Sequence, residues 1–544
     1  MKFLKNYFFH FFVFFLFLFL KIFFKIDGER EFLSVLPPFL AIILTLISRK
    51  LLMSLFLSVI IGGMLFRDTE FFLIKSLSFI TNSLFNITNI EILLFVVFIM
   101  SMISVITASG GFSSLVNYLI RFAKTKKRAQ FITFLLGLIV FIDDYANTMV
   151  VGTSARPITD KFKISREKLA FLVDATSAPV AGIALISTWI GYEVGLFSEF
   201  AKSVGILKDG YSIFLDVFKY RFYCLFMIIF ILILTLKGKD FGPMKKAEER
   251  AEKEGKLLND GAVPLSSKGF ERIREDESAR SSLMTFIIPV FILFLTLLSG
   301  LWLDGKGLFY LRENIFNFFN PYVWLKVITN AENNIFVLLV SSFFGLISAL
   351  LISKINSGLS FKKNFYYSVK GAFSSYLPIT ILVLAWSLKN VCLELKTAEY
   401  LINIFKGIIS PKIFPALTFL VSCLTSFATG TSWGTMAIII PIAGPVAFAL
   451  DGNVYGITTI MTLASILDGA IFGDHCSPIS DTTIMSSIFS SCDHIDHVRT
   501  QLPYSVFVAS FAFIFGYLLT PLGISPILIF LLVFILFLIF FLYI

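Results

Sequence analysis

The sequence predicts an all-α, polytopic membrane protein with about 12 transmembrane helices, given spans of roughly 20 residues. Hydrophobic residues make up 57% of the 544 residues and charged residues only 15%. The mean hydropathy of +0.86 is far above that of a soluble protein, and long apolar runs recur along the whole chain. The basic residues fall in short clusters between these runs, as expected for cytoplasmic loops.

The net charge of +10 does not indicate a nucleic-acid partner. The basic clusters lie next to apolar runs, where the positive-inside rule explains them, so the expected partner is the lipid bilayer. The five cysteines are scattered along the chain and predict no disulfide framework.

The chain begins with a run rich in Phe and Leu, from Phe3 to Phe24. This run is longer than the core of a signal peptide and has no small-residue cleavage site, so we expect an extra N-terminal span within residues 1–31. Residues 32–236 then form the first half of the predicted membrane domain.

The first half contains an apolar run that leads into two adjacent carboxylates, Asp143 and Asp144. An ionised aspartate in hydrocarbon costs at least a few kcal/mol, so such groups normally line a cavity or bind an ion. Basic clusters flank the run on both sides, and a straight helix would place them on opposite faces of the membrane. We therefore predict a re-entrant hairpin over residues 131–155, with its tip near 143–153. A straight helix that breaks the charge rule locally is the alternative.

Two further segments complete this half and its connection to the next. Residues 169–195 are long enough to span but carry the sequence DATSAP, whose proline opens the helical hydrogen-bond ladder, so we predict a broken helix. Residues 237–281 are charged, with no apolar period, and are predicted to form a cytoplasmic linker between the halves.

The second half, residues 282–502, has the same order of elements. An apolar block at 413–446 is interrupted by the sequence TGTSWGT and has few basic flanking residues, so we predict a second hairpin that starts from the outer side. Residues 457–487 form a second broken helix, and residues 503–544 supply the last two spans.

The two halves resemble each other in sequence. Thr148 in the first hairpin corresponds to Thr435 in the second, and Asp174 in the first broken helix corresponds to Asp474 in the second. Because the two hairpins are predicted to start from opposite sides, the halves are predicted to form an inverted repeat. In secondary transporters, substrate and coupling ions bind where such repeats meet.

Four motifs follow one another along the chain. They are FIDDYANTMVVGTSARP at 141–157, ATGTSWGTMAIIIP at 428–441, GDHCSPISDTTIMSS at 473–487 and CDHIDHVRTQLPY at 492–504. Together they resemble the NhaC-type sodium/proton antiporter family of the ion transporter superfamily, and the resemblance extends from Phe32 to Leu519. It implies exchange of Na⁺ for H⁺ by alternating access in the cytoplasmic membrane. Relatives with similar motifs are linked to malate/lactate exchange or amino acid transport, so a coupled carrier of a small organic acid or amino acid is the alternative.

A carboxylate can hold either a proton or Na⁺, and this competition is enough to couple two opposed ion fluxes. Asp143 and Asp144 are adjacent, so on a helix they point about 100° apart and at most one is the main ligand. We favour Asp144, because Asn147 and Thr148 lie three and four residues further along the same face. Asp143 also has Asn147 four residues on, and either carboxylate could instead cap a helix or pair with Arg156.

Hydroxyl and amide oxygens suit a hard cation such as Na⁺. Among the acids of the second broken helix we favour Asp474, next to the predicted break, over Asp468 and Asp481. Ion and proton binding is predicted at Asp143, Asp144, Asn147, Thr148, Ser177, Thr429, Thr431, Ser432, Thr435, Asp468, Asp474 and Ser477. We expect no transition metal and no cofactor beyond the transported Na⁺ and H⁺.

Other functions fit the sequence less well. A membrane metalloprotease is disfavoured because the HExxH motif is missing, so we expect no enzymatic activity. A dicarboxylate carrier would need a basic residue at its site, and Arg156 is the only one close to a hairpin motif. A homodimer is compatible with the sequence, which does not require one.

Overall fold

The computed structural model describes residues 12–19, 31–48, 50–66, 72–264, 275–331, 333–405, 409–478 and 480–544. Within these ranges, all regular secondary structure is helical. The prediction of an all-α protein is therefore confirmed.

Twelve labelled helices precede the linker. They are α1 (Leu36–Ser48), α2 (Leu51–Met64), α3 (Phe72–Leu84), α4 (Ile87–Ala108), α5 (Gly111–Ile120), α6 (Lys126–Ile139), α7 (Asp144–Lys161), α8 (Arg166–Ala175), α9 (Ala178–Ala181), α10 (Thr188–Val204), α11 (Gly210–Phe218) and α12 (Phe222–Lys237).

The linker contains one helix, and the second half contains the others. They are α13 (Gly242–Glu254), α14 (Met284–Asp304), α15 (Gly307–Glu313), α16 (Pro321–Asn330), α17 (Asn334–Ile352), α18 (Phe361–Ser374), α19 (Tyr376–Glu394), α20 (Thr397–Phe405), α21 (Phe414–Thr429), α22 (Ser432–Leu450), α23 (Ile457–Cys476), α24 (Asp481–Ser490), α25 (His494–Phe511) and α26 (Pro526–Tyr543).

Nine helical segments in the described part of the chain are long and apolar enough to cross a membrane, and four shorter apolar helices accompany them. The chain is therefore a multi-pass membrane protein. Helix α26 illustrates how such a helix packs: Ile529, Val533, Phe537 and Phe541 lie one turn apart and are buried, whereas most of its other apolar side chains are exposed. We expect that exposed apolar surface to face lipid.

The core of the molecule forms around α23, which is buried along almost its whole length. Helices α21 and α22 pack against it. Gly469 and Gly473 allow α21 to approach closely, because a Cβ atom on either would lie 2.5 Å from a carbonyl oxygen of α21, at Phe419 and Cys423 respectively. Small residues four positions apart are typical of tight helix contacts in membranes.

Most of the predicted N-terminal span lies outside the described residues. Residues 12–19 are helical, and Val13 is buried in a small apolar cluster with Leu44, Leu57 and Ile61 of α1 and α2. The described part of this segment thus packs on the first helices of the membrane domain.

Three of the four predicted interruptions separate two helices at the expected positions. The second hairpin block is broken at Gly430, whose φ of 69° lies in the left-handed region that glycine favours. The two predicted broken helices are interrupted at 176–177 and at 477–480. These breaks expose backbone groups and helix ends to the same buried region.

The first hairpin block differs from its prediction. The irregular stretch covers residues 140–143, and α7 is continuous from Asp144 onward, so the break precedes the region predicted as the tip. Asp143 explains the shift, because its side chain accepts a hydrogen bond from the backbone N–H of Ala146 and so caps α7.

The predicted linker contains a helix, α13, that was not expected from the sequence. Met244, Ala247 and Ala251 lie three and four residues apart and form its buried face, which packs against α8 and α25. The prediction of a segment without apolar period was therefore wrong, because the many charges around these three residues obscured their helical spacing. Residues 265–274 of the linker lie outside the described ranges.

Candidate ion-binding site

The helix breaks converge because the helices that they separate pack against one another. Helix α7 packs against α24, α24 against α8, and α22 against α23. Two side-chain hydrogen bonds join these elements: the hydroxyl of Tyr145 donates to the carboxylate of Asp481, and the hydroxyl of Ser432 donates to Asp474 Oδ2 at 3.2 Å. The N-termini of α7, α22 and α24 thus meet the C-terminus of α23.

Asp144 is the first residue of α7 and is 2% exposed. Its Oδ1 is buried and has no hydrogen-bond partner among the described residues, although the indole of Trp189 lies beside the carboxylate, outside hydrogen-bond geometry. Asp143, Asp474 and Asp481 are near enough to repel its negative charge. A buried carboxylate with an oxygen that lacks a donor, beside other carboxylates, needs a proton or a cation to offset its charge.

Asp474 lies in the last turn of α23 and is 1% exposed. Its Oδ1 accepts a hydrogen bond from Ser480 at 2.5 Å, and its Oδ2 accepts from Ser432 and Thr482, each at 3.2 Å. Three hydroxyl groups from three different elements therefore surround one carboxylate. This all-oxygen environment is the kind that hard cations prefer.

Asp481 is the first residue of α24, and its side chain is exposed to a cavity of about 940 Å³. Apolar side chains of α2 and α19 line most of this cavity, together with Lys50 and the Thr429-Gly430-Thr431 break. Asp481 was one of the acids considered from the sequence, but it was not in the predicted set. Its position directly after the capping residue Ser480 was the available signal, because such a residue sits at a helix N-terminus.

Asp143 serves mainly as the cap of α7. Its Oδ1 accepts from the backbone N–H of Ala146 at 2.8 Å and its Oδ2 accepts from the hydroxyl of Thr188 at 2.9 Å. Both carboxylate oxygens therefore have donors within the protein, whereas Asp144 Oδ1 has none among the described residues. The capping alternative thus describes the geometry of Asp143 better than the ion-ligand prediction does.

Asn147 connects two of the helix breaks. Its amide nitrogen donates to the carbonyl oxygens of Gly137, Val140 and Thr176, at 2.7, 2.9 and 3.1 Å, so one side chain holds the end of α6 against the end of α8. Its Oδ1 is buried and has no hydrogen-bond partner among the described residues. The amide thus positions the backbone around Asp144, and its oxygen is left as an acceptor.

The remaining predicted hydroxyl groups bond to the backbone near the breaks. Thr431 caps α22 by accepting from the N–H of Gly434 at 3.3 Å. The others donate to carbonyl oxygens: Thr148 to Tyr145, Ser177 to Asp174, Thr429 to Thr425, Thr435 to Thr431 and Ser477 to Phe427, at 2.7–2.9 Å. Such bonds shape the breaks, and of these residues Thr429 and Thr431 also line the cavity.

Asp468 belongs to a different buried network. Its Oδ1 accepts from Arg221 Nε at 3.0 Å, and its Oδ2 accepts from the backbone N–H of Tyr223 and the hydroxyl of Tyr517, at 2.6 and 2.7 Å. Arg221 also pairs with Glu193 at 3.1 Å, and all three charged side chains are fully buried. The geometry therefore favours a structural role for Asp468 over the predicted ion binding, because Arg221 already offsets its negative charge, whereas only neutral hydroxyl groups contact Asp474.

An aromatic contact that was not expected from the sequence links the halves beside the site. The hydroxyl of Tyr192 donates to the carbonyl oxygen of Trp433 at 2.5 Å, and the two rings stack with centroids 4.2 Å apart. The ring of Trp189 meets Trp433 edge-on at 5.9 Å. Helix α10 is thereby fixed against the start of α22, next to Ser432.

A multi-pass helical membrane protein whose broken helices bring three carboxylates and several hydroxyl groups together has the features of a secondary ion transporter. The model of the Na⁺/H⁺ antiporter family matches residues 180–520, which is more than half of the chain, and the protein belongs to this family. Membership confirms the predicted antiporter function and Na⁺/H⁺ exchange, and it indicates a transporter, not an enzyme.

Two of the three relatives described next are named antiporters. The chain is 29% identical to an uncharacterized protein of Haemophilus influenzae over 89% of this chain and 90% of the other. It is 34% identical to the Malate-2H(+)/Na(+)-lactate antiporter of Bacillus subtilis, over 28% and 31% of the two chains. It is also 34% identical to the Na(+)/H(+) antiporter NhaC of Alkalihalophilus pseudofirmus, over 23% and 26%. The alignments with these two named antiporters thus cover less than a third of their lengths.

Proposed function

We propose that the protein exchanges Na⁺ for H⁺ across the cytoplasmic membrane by alternating access, and that Asp144, Asp474 and Asp481 share the transported Na⁺. The observation that carries this proposal is the grouping of the three carboxylates where broken helices of both halves meet. Neither Asp144 nor Asp474 forms an ion pair with a basic side chain in the described part of the chain.

The charge of this group accounts for the exchange. Removing a carboxylate from water costs several kcal/mol, and each further negative charge in the same buried region adds repulsion. The group therefore holds fewer protons while Na⁺ offsets part of its negative charge, and it takes up protons from water when Na⁺ leaves. A single site that is neutralised in turn by Na⁺ and by H⁺ exchanges one ion for the other.

The oxygen atoms around Asp474 and Asp144 would hold the Na⁺. Ser432, Ser480 and Thr482 already contact the Asp474 carboxylate, and their hydroxyl oxygens have lone pairs available for a cation. Asp144 Oδ1 and Asn147 Oδ1 are buried acceptors without donors among the described residues. Together these groups supply enough oxygens for Na⁺, and the proposal requires no cofactor.

Alternating access would act on the contacts between the two halves. Tyr145 of the first half bonds Asp481 of the second, and Tyr192 bonds Trp433 in the same way. We propose that the halves are inverted repeats, so that the breaks at 140–143 and at Gly430 approach the ion from opposite sides of the membrane. The cavity at Asp481 would then be the vestibule on one side.

The cavity favours one second candidate function, the coupled transport of a small organic acid or amino acid. Its volume of about 940 Å³ is far larger than Na⁺ needs, its walls are mostly apolar, and Lys50 and Asp481 both line it. A zwitterion could place its carboxylate at Lys50 and its amine at Asp481. Fully buried Arg221 does not serve this purpose, because Glu193 and Asp468 already bind it.

Purified protein in proteoliposomes separates the two functions. With high Na⁺ inside and low Na⁺ outside, we expect a pH dye in the lumen to report acidification, with K⁺ inactive as a control. Acidification without any organic solute supports Na⁺/H⁺ exchange. The proposal fails if the lumen acidifies only when malate, lactate or an amino acid is present on the opposite side.

A further inference from the structure

A second buried polar cluster lies beside the proposed ion site, at the break between α8 and α9. Asp174 is its centre: Oδ2 accepts from Gln501 Nε2 at 2.6 Å and lies 3.3 Å from His497 Nε2, and Oδ1 accepts from Ser486 at 3.1 Å. All four side chains are buried. They come from α8, α24 and α25, so the cluster joins both halves of the chain.

The cluster neighbours the Na⁺ carboxylates without sharing their ligands. Ser486 follows Asp481 by five residues on α24, about 7.5 Å along the helix axis. Gln501 also donates to the carbonyl oxygen of His475, the residue after Asp474. Asp174 is near enough to Asp474 for the two negative charges to repel each other. The two sites are therefore separate but electrostatically connected.

His497 gives this cluster a group that can carry a proton. It is fully buried, and its Nδ1 has no hydrogen-bond partner in the described ranges. In the tautomer that donates Nε2–H to Asp174, Nδ1 has a free lone pair. Protonation of Nδ1 converts the imidazole to an imidazolium paired with a carboxylate. Histidine is the side chain that ordinarily makes this change near neutral pH.

We propose that the Asp174–His497 pair carries a second transported proton, in addition to the protons that compete with Na⁺ at Asp144, Asp474 and Asp481. This inference rests on the proposed Na⁺/H⁺ exchange. The proton is taken from water by His497 Nδ1 and returned to water from the same atom, so no other bond is formed or broken. His497 thus holds this additional proton outside the Na⁺ site.

Electrostatics between the two sites gives the coupling the correct sign for antiport. The pair has a charge of −1 when His497 is neutral and 0 when it is protonated. Na⁺ at Asp474 therefore favours release of the proton, and the proton favours release of Na⁺ to the same degree. For unit charges about 10 Å apart in an effective dielectric of about 20, each ion weakens the binding of the other by about tenfold.

Several other titratable and polar groups surround the pair. Helix α8 contributes Asp174, and α24 contributes the hydroxyl of Ser486. Helix α23 contributes three titratable groups, Asp474, His475 and Cys476. Helix α12 contributes Tyr223, whose hydroxyl bonds His475 Nδ1 at 2.8 Å. The carboxylate of Glu248 on α13 pairs with Lys126 instead.

The test counts protons and Na⁺ ions on the same purified, detergent-solubilised protein. A NaCl pulse is added in weak buffer with a pH dye, and bound ²²Na⁺ is measured between pH 6 and 8. We expect His497→Gln to release about one proton fewer per Na⁺ bound than the wild type and to lose part of the pH dependence of Na⁺ affinity. His494→Gln, on the same helix and partly exposed, is the matched control and should behave as the wild type.

A second variant, Asp174→Asn, keeps the inference testable if His497→Gln does not fold. Asp174→Asn removes the charge that stabilises the imidazolium, so we expect the same loss of about one released proton with His497 still present. Release of as many protons by both variants as by the wild type would overturn the inference. A His497→Gln protein that melts as the wild type but binds no Na⁺ would also overturn it, because His497 would then belong to the Na⁺ site. Absence of proton release from the wild type would instead refute the proposed Na⁺/H⁺ exchange.

Discussion

The hydroxyl of Tyr145 donates a hydrogen bond to the carboxylate of Asp481, and this bond joins the first turn of α7 to the first residue of α24. It crosses between the two halves of the chain at the proposed ion site. Any movement that separates the halves must break it, so the bond should affect both the affinity for Na⁺ and the conformational change.

Tyr145→Phe should weaken Na⁺ binding without unfolding the protein. The substitution removes one donor to a charged carboxylate, worth about 1.5–3 kcal/mol, and the proton then competes better with Na⁺ at Asp481. We expect the Na⁺ KM of exchange at fixed pH to rise about tenfold or more. Proteoliposome assays measure this, with Tyr118→Phe on the half-exposed α5 position as control. If the Na⁺ KM of Tyr145→Phe were unchanged, Asp481 would not belong to the Na⁺ site.

Ser432→Ala should lower the affinity for Na⁺ more than Thr435→Ala does. Ser432 contacts the Asp474 carboxylate, whereas the Thr435 hydroxyl bonds the carbonyl oxygen of Thr431. Loss of a hydrogen bond to a charged group corresponds to about tenfold in affinity, and loss of a local backbone bond to about threefold or less. The comparison uses ²²Na⁺ binding at one pH. Equal effects of the two variants would argue against Asp474 as the centre of the Na⁺ site.

Asp468→Asn should reduce stability and leave the Na⁺ affinity of the folded protein nearly unchanged. Arg221 would lose one of its two carboxylate partners in a fully buried network, and breaking such a network costs about 3–5 kcal/mol. A thermal unfolding scan in detergent measures the loss, and ²²Na⁺ binding below the lowered Tm measures the affinity. If Asp468→Asn had a normal Tm but bound no Na⁺, Asp468 would belong to the ion site.

Asp276 should make a stability contribution that depends on pH. It lies between the spans and accepts hydrogen bonds from Lys363 and Tyr367, at 2.8 and 2.9 Å. Burial opposes its ionisation, but the bonds from Lys363 and from Ser278 hold the pKa of Asp276 below its usual value. Because the pKa of Asp276 is lower in the folded protein than in the unfolded chain, where it is about 4, ionised Asp276 stabilises the fold above that pH. This stabilisation is lost as the pH falls through the pKa of the folded state.

Asp276→Asn should therefore lower Tm at pH 7, and the difference from the wild type should shrink as pH falls below about 4. Asp260→Asn is the matched control, because that side chain is 82% exposed and, in the described part of the chain, pairs with the exposed Lys256. If the Tm difference between Asp276→Asn and the wild type were as large below about pH 4 as at pH 7, the pKa argument would be contradicted.

Local signals in the sequence were sufficient to predict the positions of three of the four helix breaks. Gly430 has the left-handed φ that favours glycine, and Pro179 follows the break at 176–177. The charge of Asp144 in an apolar run and the hydroxyls around it also indicate an ion site from the sequence alone. These predictions depend on residues near one another in the chain, which is why they can be made from the sequence alone.

Contacts between residues far apart in the sequence could not be predicted from local signals. Asp468 meets Arg221 across 247 positions, and Asp481 meets Tyr145 across 336, so neither partner could be identified from spacing. The same limit applies to Trp433, whose contact with Tyr192 depends on how α10 packs on α22. Asp143 and Asp144 differ for a related reason, since Thr188 supplies the donor that satisfies only Asp143.

The central claim is that Asp144, and not its neighbour Asp143, binds the exchanged ion. Asn is as good a helix cap as Asp, so Asp143→Asn should preserve the start of α7 and keep Na⁺-dependent proton movement within about threefold of the wild type. Asp144→Asn removes a charge from the site and should abolish it. Both variants are compared with the wild type in the same proteoliposome preparation, by dye-reported pH change after a Na⁺ gradient is imposed. Loss of exchange in Asp144→Asn alone is the predicted result, and normal exchange by Asp144→Asn would contradict the account.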